Sequence, residues 1–213
     1  MLLLLRRALL VVLVRPLVWL LVGLDVYGER RLPQNGPAII AANHNSHLDT
    51  MLLLSLFPSR CLANVRPVAA ADHFLRTPLS SWFSRRLVGI LPVARERPER
   101  GVDVLTECKA ALARGEILLI FPEGTRGEAE KMGRLKSGIA RLSETFPDVP
   151  VVPVYLQGAG RVLPRKARIP VPFNCAIIVG EPFTWANSRR DFMATLSAAF
   201  DSLRAEAPPL RWI

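Results

Sequence analysis

"PAIIAANHNSHLDTMLLLSLF", residues 37–57, decides how the chain is read. Its opening, residues 37–43, is a short apolar run behind a proline, the mark of a buried strand. From Ser46 to Phe57 it reads as a helix, with Ser46 and Asp49 spaced as a capping box and Pro58 as the stop. Across their junction, residues 44–49, fall two histidines and an aspartate, beyond a strand C-terminus, where α/β sheets tend to gather chemistry.

Outward from this unit the alternation continues. "LANVRPVAA" is extended, with Pro67 limiting its pairing. "TPLSSWFSRRLV" predicts a helix with Thr77 as N-cap and Pro78 at the first helical position. "GILPV" is a short strand, and "GVDVLTECKAALARG" is a helix ended by Gly115. "EILLIF" (116–121) is a strand, "SGIARLSETF" a helix, and "VPVVPVYL" and "NCAIIVG" are strands. The last helix, "NSRRDFMATLSAAFDSLRAEA", carries Phe192, Leu196, Phe200 and Leu203 at helical spacing behind a Ser188–Asp191 capping box. Strands and helices alternate, the strands apolar on both faces, with no internal repeat: an α/β chain.

The length of 213 residues suits one catalytic-sized domain, and half the residues are hydrophobic. A net charge of +10 points to an anionic partner: nucleic acid, a membrane surface or a phosphorylated substrate. Cys61, Cys108 and Cys175 are far apart and form no CxxC, so neither a disulfide framework nor a zinc signature is present, and a reducing compartment fits. Residues 1–28 form the main compositional shift. "MLLLLRRALLVVLVRPLVWLLVGL" is apolar but broken by Arg6, Arg7, Arg15 and Pro16, short of the roughly 18 uninterrupted residues of a spanning helix. No A-x-A-like cleavage site follows it. The expectation is a retained helix lying in one leaflet, its arginines reaching headgroup phosphates, ahead of a domain over residues 29–213.

Asp49 admits two readings. As the fourth residue of Ser46-x-x-Asp49 it serves the helix start. As a carboxylate near a histidine it fixes the tautomer and leaves the other ring nitrogen free as a base. His47, two residues away, does not share its helix face. His44, five residues away, lies before the helix at the strand end, where the chain reversal brings imidazole and carboxylate together. His44 is therefore favoured, and His73 has no such company. In "FPEGTR" (121–126), Gly124 lets backbone approach a ligand closely and Arg126 offers a fork of donors to a phosphate. Glu123 either accepts from a hydroxyl or holds the loop.

With these residues in place, the chain resembles the PlsC-like glycerolipid acyltransferases, the family of 1-acylglycerol-3-phosphate acyltransferases. "NHNSHLD" looks like the family's H-x4-D motif and "FPEGTR" like its FPEGT-R motif. "VGILPVAR" resembles the second block, with Gly89 and Arg95, and "VPVVPVYLQG" the fourth, around Pro153. The similarity covers roughly residues 24–185.

The resemblance implies a single α/β domain with a mixed central sheet flanked by helices and an N-terminal membrane-docking helix. It implies transfer of an acyl group from acyl-CoA or acyl carrier protein to the free hydroxyl of 1-acylglycerol-3-phosphate, giving phosphatidic acid. His44 would be the general base and Asp49 its orienting partner. Glu123, Gly124, Thr125 and Arg126, with Arg95, would bind the acceptor. The partners would be a lysophospholipid, the acyl donor and membrane lipids, with no metal, redox cofactor or nucleic acid. The enzyme would sit on the membrane with its active site on the cytoplasmic face. Another lysophospholipid or lipid alcohol as acceptor, and a non-catalytic lipid-binding protein, are the alternatives. One departure bears on the acceptor: family members often carry a lysine where this chain has Ala69, Ala70 and Ala71. Arg66, Arg76 and Lys136 are the candidate replacements.

Overall fold

The computed structural model describes residues 2–46, 48–70, 81–82, 84–93, 103–125, 127, 130–163 and 171–209. Among these, seven strands make one sheet: β1 (Val22–Tyr27), β2 (Ala38–Ala42), β3 (Val65–Ala70), β4 (Leu91–Val93), β5 (Ile117–Ile120), β6 (Val151–Gln157) and β7 (Phe173–Val179). Their spatial order is β1-β7-β6-β2-β5-β3-β4. β2 to β6 are parallel; β7 runs antiparallel to β6 and parallel to β1, so the sheet is mixed, as expected.

The helices are α1 (Leu2–Ala8), α2 (Arg15–Leu21), α3 (Asp49–Leu56), α4 (Thr106–Ala113), α5 (Gly138–Thr145), α6 (Ala159–Val162) and α7 (Arg189–Glu206). Strand periodicity sorts the core into two layers. Ala38, Ile40 and Ala42 of β2 join Leu10, Val18, Leu52, Leu53 and Phe57, under α2 and α3. Ile39 and Ala41 of the same strand join Leu112, Ile139, Phe192, Leu196 and Phe200, under α4, α5 and α7. α7 starts as its sequence requires: the Ser188 hydroxyl accepts from the Asp191 amide at 3.1 Å and donates to the Asp191 carboxylate at 2.7 Å. Phe192, Leu196, Phe200 and Leu203 are all buried. Phe200→Ala would remove about 3–5 kcal/mol from this layer.

The structure places three features of the sequence. Pro67 lies in a strand with a neighbour on each side. β3 pairs with β5 from Val65 to Pro67 and with β4 from Val68 to Ala70. The proline sits where one neighbour hands over to the other, so its missing N–H interrupts neither ladder. Secondly, part of the N-terminal segment, residues 1–28, belongs to the sheet. The N-terminal helical run ends at Leu21, and Val22–Tyr27 forms the edge strand of the sheet, in register with Phe173–Ile178 of β7.

The third concerns the N-terminal arginines, which turn inward rather than toward headgroups. Arg6 is 2% exposed and donates to the carbonyls of Ala63 (3.2 Å), Val65 (2.6 Å) and Val88 (3.0 Å). Burial, with Arg66 nearby, pulls its pKa down to about 10. Arg15 donates to the carbonyls of Ser55 and Phe57 at the end of α3. A buried guanidinium with several carbonyl partners satisfies backbone groups that would otherwise be stranded. The apolar side chains face out instead: Trp19 is 84% exposed, Leu20 79% and Val12 73%. Between α1 and α2 the residues Leu9–Val14 are π-helical, just ahead of Pro16. Among the described residues no helix is long and apolar enough to cross a membrane. Thr77 and Pro78 lie outside the described residues.

Candidate active site

β2 and β5 are parallel neighbours with Ala41 opposite Ile120, so the segments leaving their C-terminal ends meet. The rings of His44 and Phe121 stack with centroids 4.1 Å apart and planes 19° from parallel. The His44 amide donates to Glu123 Oε1 at 2.7 Å, and the Gly127 amide donates to the His44 carbonyl at 3.2 Å. The histidine motif and the FPEGTR motif, far apart in sequence, are therefore laced backbone to side chain.

Asp49 is fully buried. Its Oδ2 accepts from His44 Nδ1 at 2.8 Å, the Asn45 amide at 2.6 Å and the Ser46 amide at 2.8 Å. Both sequence readings of Asp49 hold in one atom: it opens the helix and it meets the imidazole. The capping box is only half formed, since the Ser46 hydroxyl accepts from the Leu48 amide at 3.3 Å and not from Asp49. A carboxylate only accepts, so Nδ1 is the donor, and in the neutral ring Nε2 is left with the lone pair. Among the described residues nothing hydrogen-bonds Nε2.

Two asparagines fix the turn to the next strand. Asn43 donates to the Leu156 carbonyl at 2.9 Å and accepts from the Leu156 amide at 2.6 Å; Asn45 donates to the same carbonyl at 3.0 Å. Sequence reading passed over both, although an Asn on each side of a histidine after a buried strand is a signal for side-chain-to-backbone bonding.

Glu123 is 4% exposed, and its two oxygens accept from the amides of His44 and Gly133 (2.5 Å). Burial pushes its carboxyl above the usual range, and the two amide donors partly offset that. Of the two roles open to Glu123, its bonds match the holding of a loop. Gly124 has φ +69°, which a glycine adopts freely. A Cβ there would lie 2.7 Å from Lys136 Nζ. Further along, Glu130 accepts from the Gly158 amide at 3.0 Å, and burial pushes its carboxyl up as well.

His44 lines a cavity of about 360 Å³, together with Thr50, Thr125 and Lys136. Most of the rest of its lining is apolar, with Val68, Ile90, Val93, Leu105, Ile120 and Leu142 among it. His44, Asp49, Glu123, Gly124 and Thr125 are thus gathered at one end of the sheet. Arg126, Arg95, His47, His73 and Arg76 lie outside the described residues. Arg66 is at the opposite end of β3, 3.5 Å from Glu116.

Residues 23–157 match the family model described as Acyltransferase. The chain is 32% identical over 141 residues to the chloroplastic 1-acyl-sn-glycerol-3-phosphate acyltransferase BAT2 of Brassica napus, covering 66% of this chain and 39% of that one. It is 26% identical over 187 residues to the 1-acyl-sn-glycerol-3-phosphate acyltransferase alpha of Mus musculus, covering 86% and 61%. The chain thus spans less than two thirds of these relatives' length. The crystal structure of the 1-acyl-sn-glycerophosphate acyltransferase PlsC from Thermotoga maritima superposes with a TM-score of 0.73 at 22% identity, over 92% of this chain and 76% of that one, and so shares the fold.

Proposed function

The chain belongs to the acyltransferase family, and we propose that it moves a fatty acyl group from an acyl thioester to the free hydroxyl of 1-acylglycerol-3-phosphate, giving phosphatidic acid. The observation that carries this reading is the His44–Asp49 pair, with Nδ1 held at 2.8 Å, on the wall of a largely apolar cavity.

The reaction follows from these groups. His44 Nε2 takes the proton of the acceptor hydroxyl while its oxygen attacks the thioester carbonyl. Asp49 holds the tautomer and stabilises the imidazolium that forms. When the tetrahedral intermediate collapses, the carbon–sulfur bond breaks and the thiolate leaves, taking the proton back from His44. The product is an ester and a free thiol, with no acyl-enzyme. General-base help of this kind contributes about 10²–10⁴-fold. The cavity behind His44 suits an acyl chain by its apolar walls. Thr125 and Gly124 on its wall suit the glycerol, and Arg126 and Arg95 are proposed for the phosphate. Glu123 supports them by bonding the His44 amide to the Gly133 segment.

The exposed face of Trp19, Leu20, Val12 and Leu13 is proposed to dock into one leaflet of a membrane, with the active site on the cytoplasmic side. The test is purified protein assayed with a panel of lysolipid acceptors against acyl-CoA and acyl carrier protein donors. Transfer to 1-acylglycerol-3-phosphate above all other acceptors supports the reading, and transfer only to another lipid alcohol replaces it.

A further inference from the structure

We propose that Lys136 binds the phosphate of the acceptor and stands in for the cation missing from Ala69–Ala71. This rests on the acyltransferase reading above and names a residue that the FPEGTR and H-x4-D motifs do not contain.

Three observations place it. Lys136 is the only lysine or arginine among the described residues lining the cavity that His44 lines, and Ala69 and Ala70 lie on that same wall. Its backbone amide donates to the Pro122 carbonyl at 2.8 Å, so the lysine is held against the FPEG turn. Its ammonium lies over Gly124, in the space where a side chain at that position would put its first carbon. The bare glycine therefore does two things: it takes the positive φ and leaves room for the Lys136 amine.

Among the described residues no carboxylate pairs with Lys136, whereas Arg66 is beside Glu116, and Lys109 and Arg141 pair with Asp103. An exposed ammonium on the wall of a largely apolar cavity keeps its hydration until an anion arrives. It then gains a charge-assisted bond in a region that the lipid partly dries. The chemistry it selects is a phosphomonoester beside the reacting hydroxyl. Phosphates on the acyl donor are the other source of that chemistry, and the test separates them.

Two variants serve, Lys136→Met and Lys136→Arg; because the side chain is exposed, neither opens the core. The measurements are equilibrium binding of 1-acylglycerol-3-phosphate and of the matching monoacylglycerol in mixed micelles, and apparent KM for acceptor and donor. Lys136→Met is expected to weaken phosphate-acceptor binding and raise its KM by about ten- to a hundredfold. It should change neutral-acceptor binding and donor KM by less than about threefold, and Lys136→Arg should restore most of the loss. Equal weakening for both acceptors, no weakening for either, or a rise confined to the donor KM would overturn the assignment; the last would move Lys136 to the donor's phosphates. If the wild type transfers acyl groups to no acceptor, the function fails, and the binding comparison alone still decides Lys136.

Discussion

The N-terminal segment and the corner between β2 and α3 are opposite departures from the usual arrangement of apolar inside and polar outside. In the segment, leucines and a tryptophan face out while Arg6 and Arg15 reach in. In the corner, Asp49, Asn43, Asn45 and Glu123 are all buried. The corner balances most of its cost internally: three donors converge on Asp49 Oδ2 and both Glu123 oxygens are filled, while Asp49 Oδ1 is buried without a hydrogen-bond partner among the described residues. The segment balances only half of its cost. Its arginines find carbonyls, but its outward apolar side chains stay exposed. A densely hydrogen-bonded interior points to a preorganised site, and an outward-facing apolar exterior points to a lipid neighbour.

The largest expected effect strikes the corner. Asp49→Asn replaces an acceptor of three N–H bonds by an amide that cannot stabilise an imidazolium, so acyl transfer should fall by about 10²–10⁴-fold. Near-normal kcat in a folded Asp49→Asn protein would break the contrast, leaving Asp49 a helix opener alone.

Next comes Arg6→Met, which strands the carbonyls that Arg6 serves at Ala63, Val65 and Val88. A loss of about 1–3 kcal/mol in urea unfolding is expected, with part recovered in Arg6→Lys. No loss would mean that the helix is merely laid on the domain.

The sequence made the helix and strand alternation legible because buried strands and amphipathic helices carry their periods openly. It also favoured the pairing of His44 with Asp49, because a histidine at a strand end can turn back onto a carboxylate in the first turn of the following helix. β1 stayed hidden: Val22–Tyr27 continues the composition of an apolar N-terminus, and a pairing with residues 173–178, some 150 positions later, leaves no local signal. The inward turn of Arg6 was hidden likewise, since its partners are main-chain carbonyls that have no sequence. Lys136 could be listed but not placed, because its position depends on the Pro122 contact and on the space over Gly124.

A smaller effect sharpens the exterior half of the comparison. Trp19→Glu and Leu20→Glu should weaken flotation with anionic vesicles by about tenfold or more each, from lost apolar burial of roughly 1.5–3 kcal/mol. Unfolding free energy should stay within about 0.5 kcal/mol, since both side chains are exposed. Unchanged flotation in the double variant would remove the lipid assignment of this face.

The smallest concerns Cys108, which lines the cavity and is fully buried. Burial, with Glu107 and Asp103 nearby, raises its thiol to about 12. A raised thiol pKa keeps the neutral form dominant, so at pH 8 the thiolate share is about one in ten thousand and rises about tenfold per pH unit. Iodoacetamide labelling should be correspondingly slow at pH 8, and slower still with acyl-CoA bound. Fast labelling at pH 7 would show that the cavity is wetter than its walls imply.

The most direct measurement is the acyl-transfer rate from acyl-CoA to 1-acylglycerol-3-phosphate in wild type, His44→Ala and His47→Ala, each shown to be folded. With Nδ1 of His44 on Asp49 and Nε2 bonded to none of the described residues, His44→Ala should lose about 10²–10⁴-fold in kcat while His47→Ala keeps most of the rate. Equal losses in the two variants, or a His44→Ala enzyme near the wild-type rate, would contradict the assignment of His44 as the base.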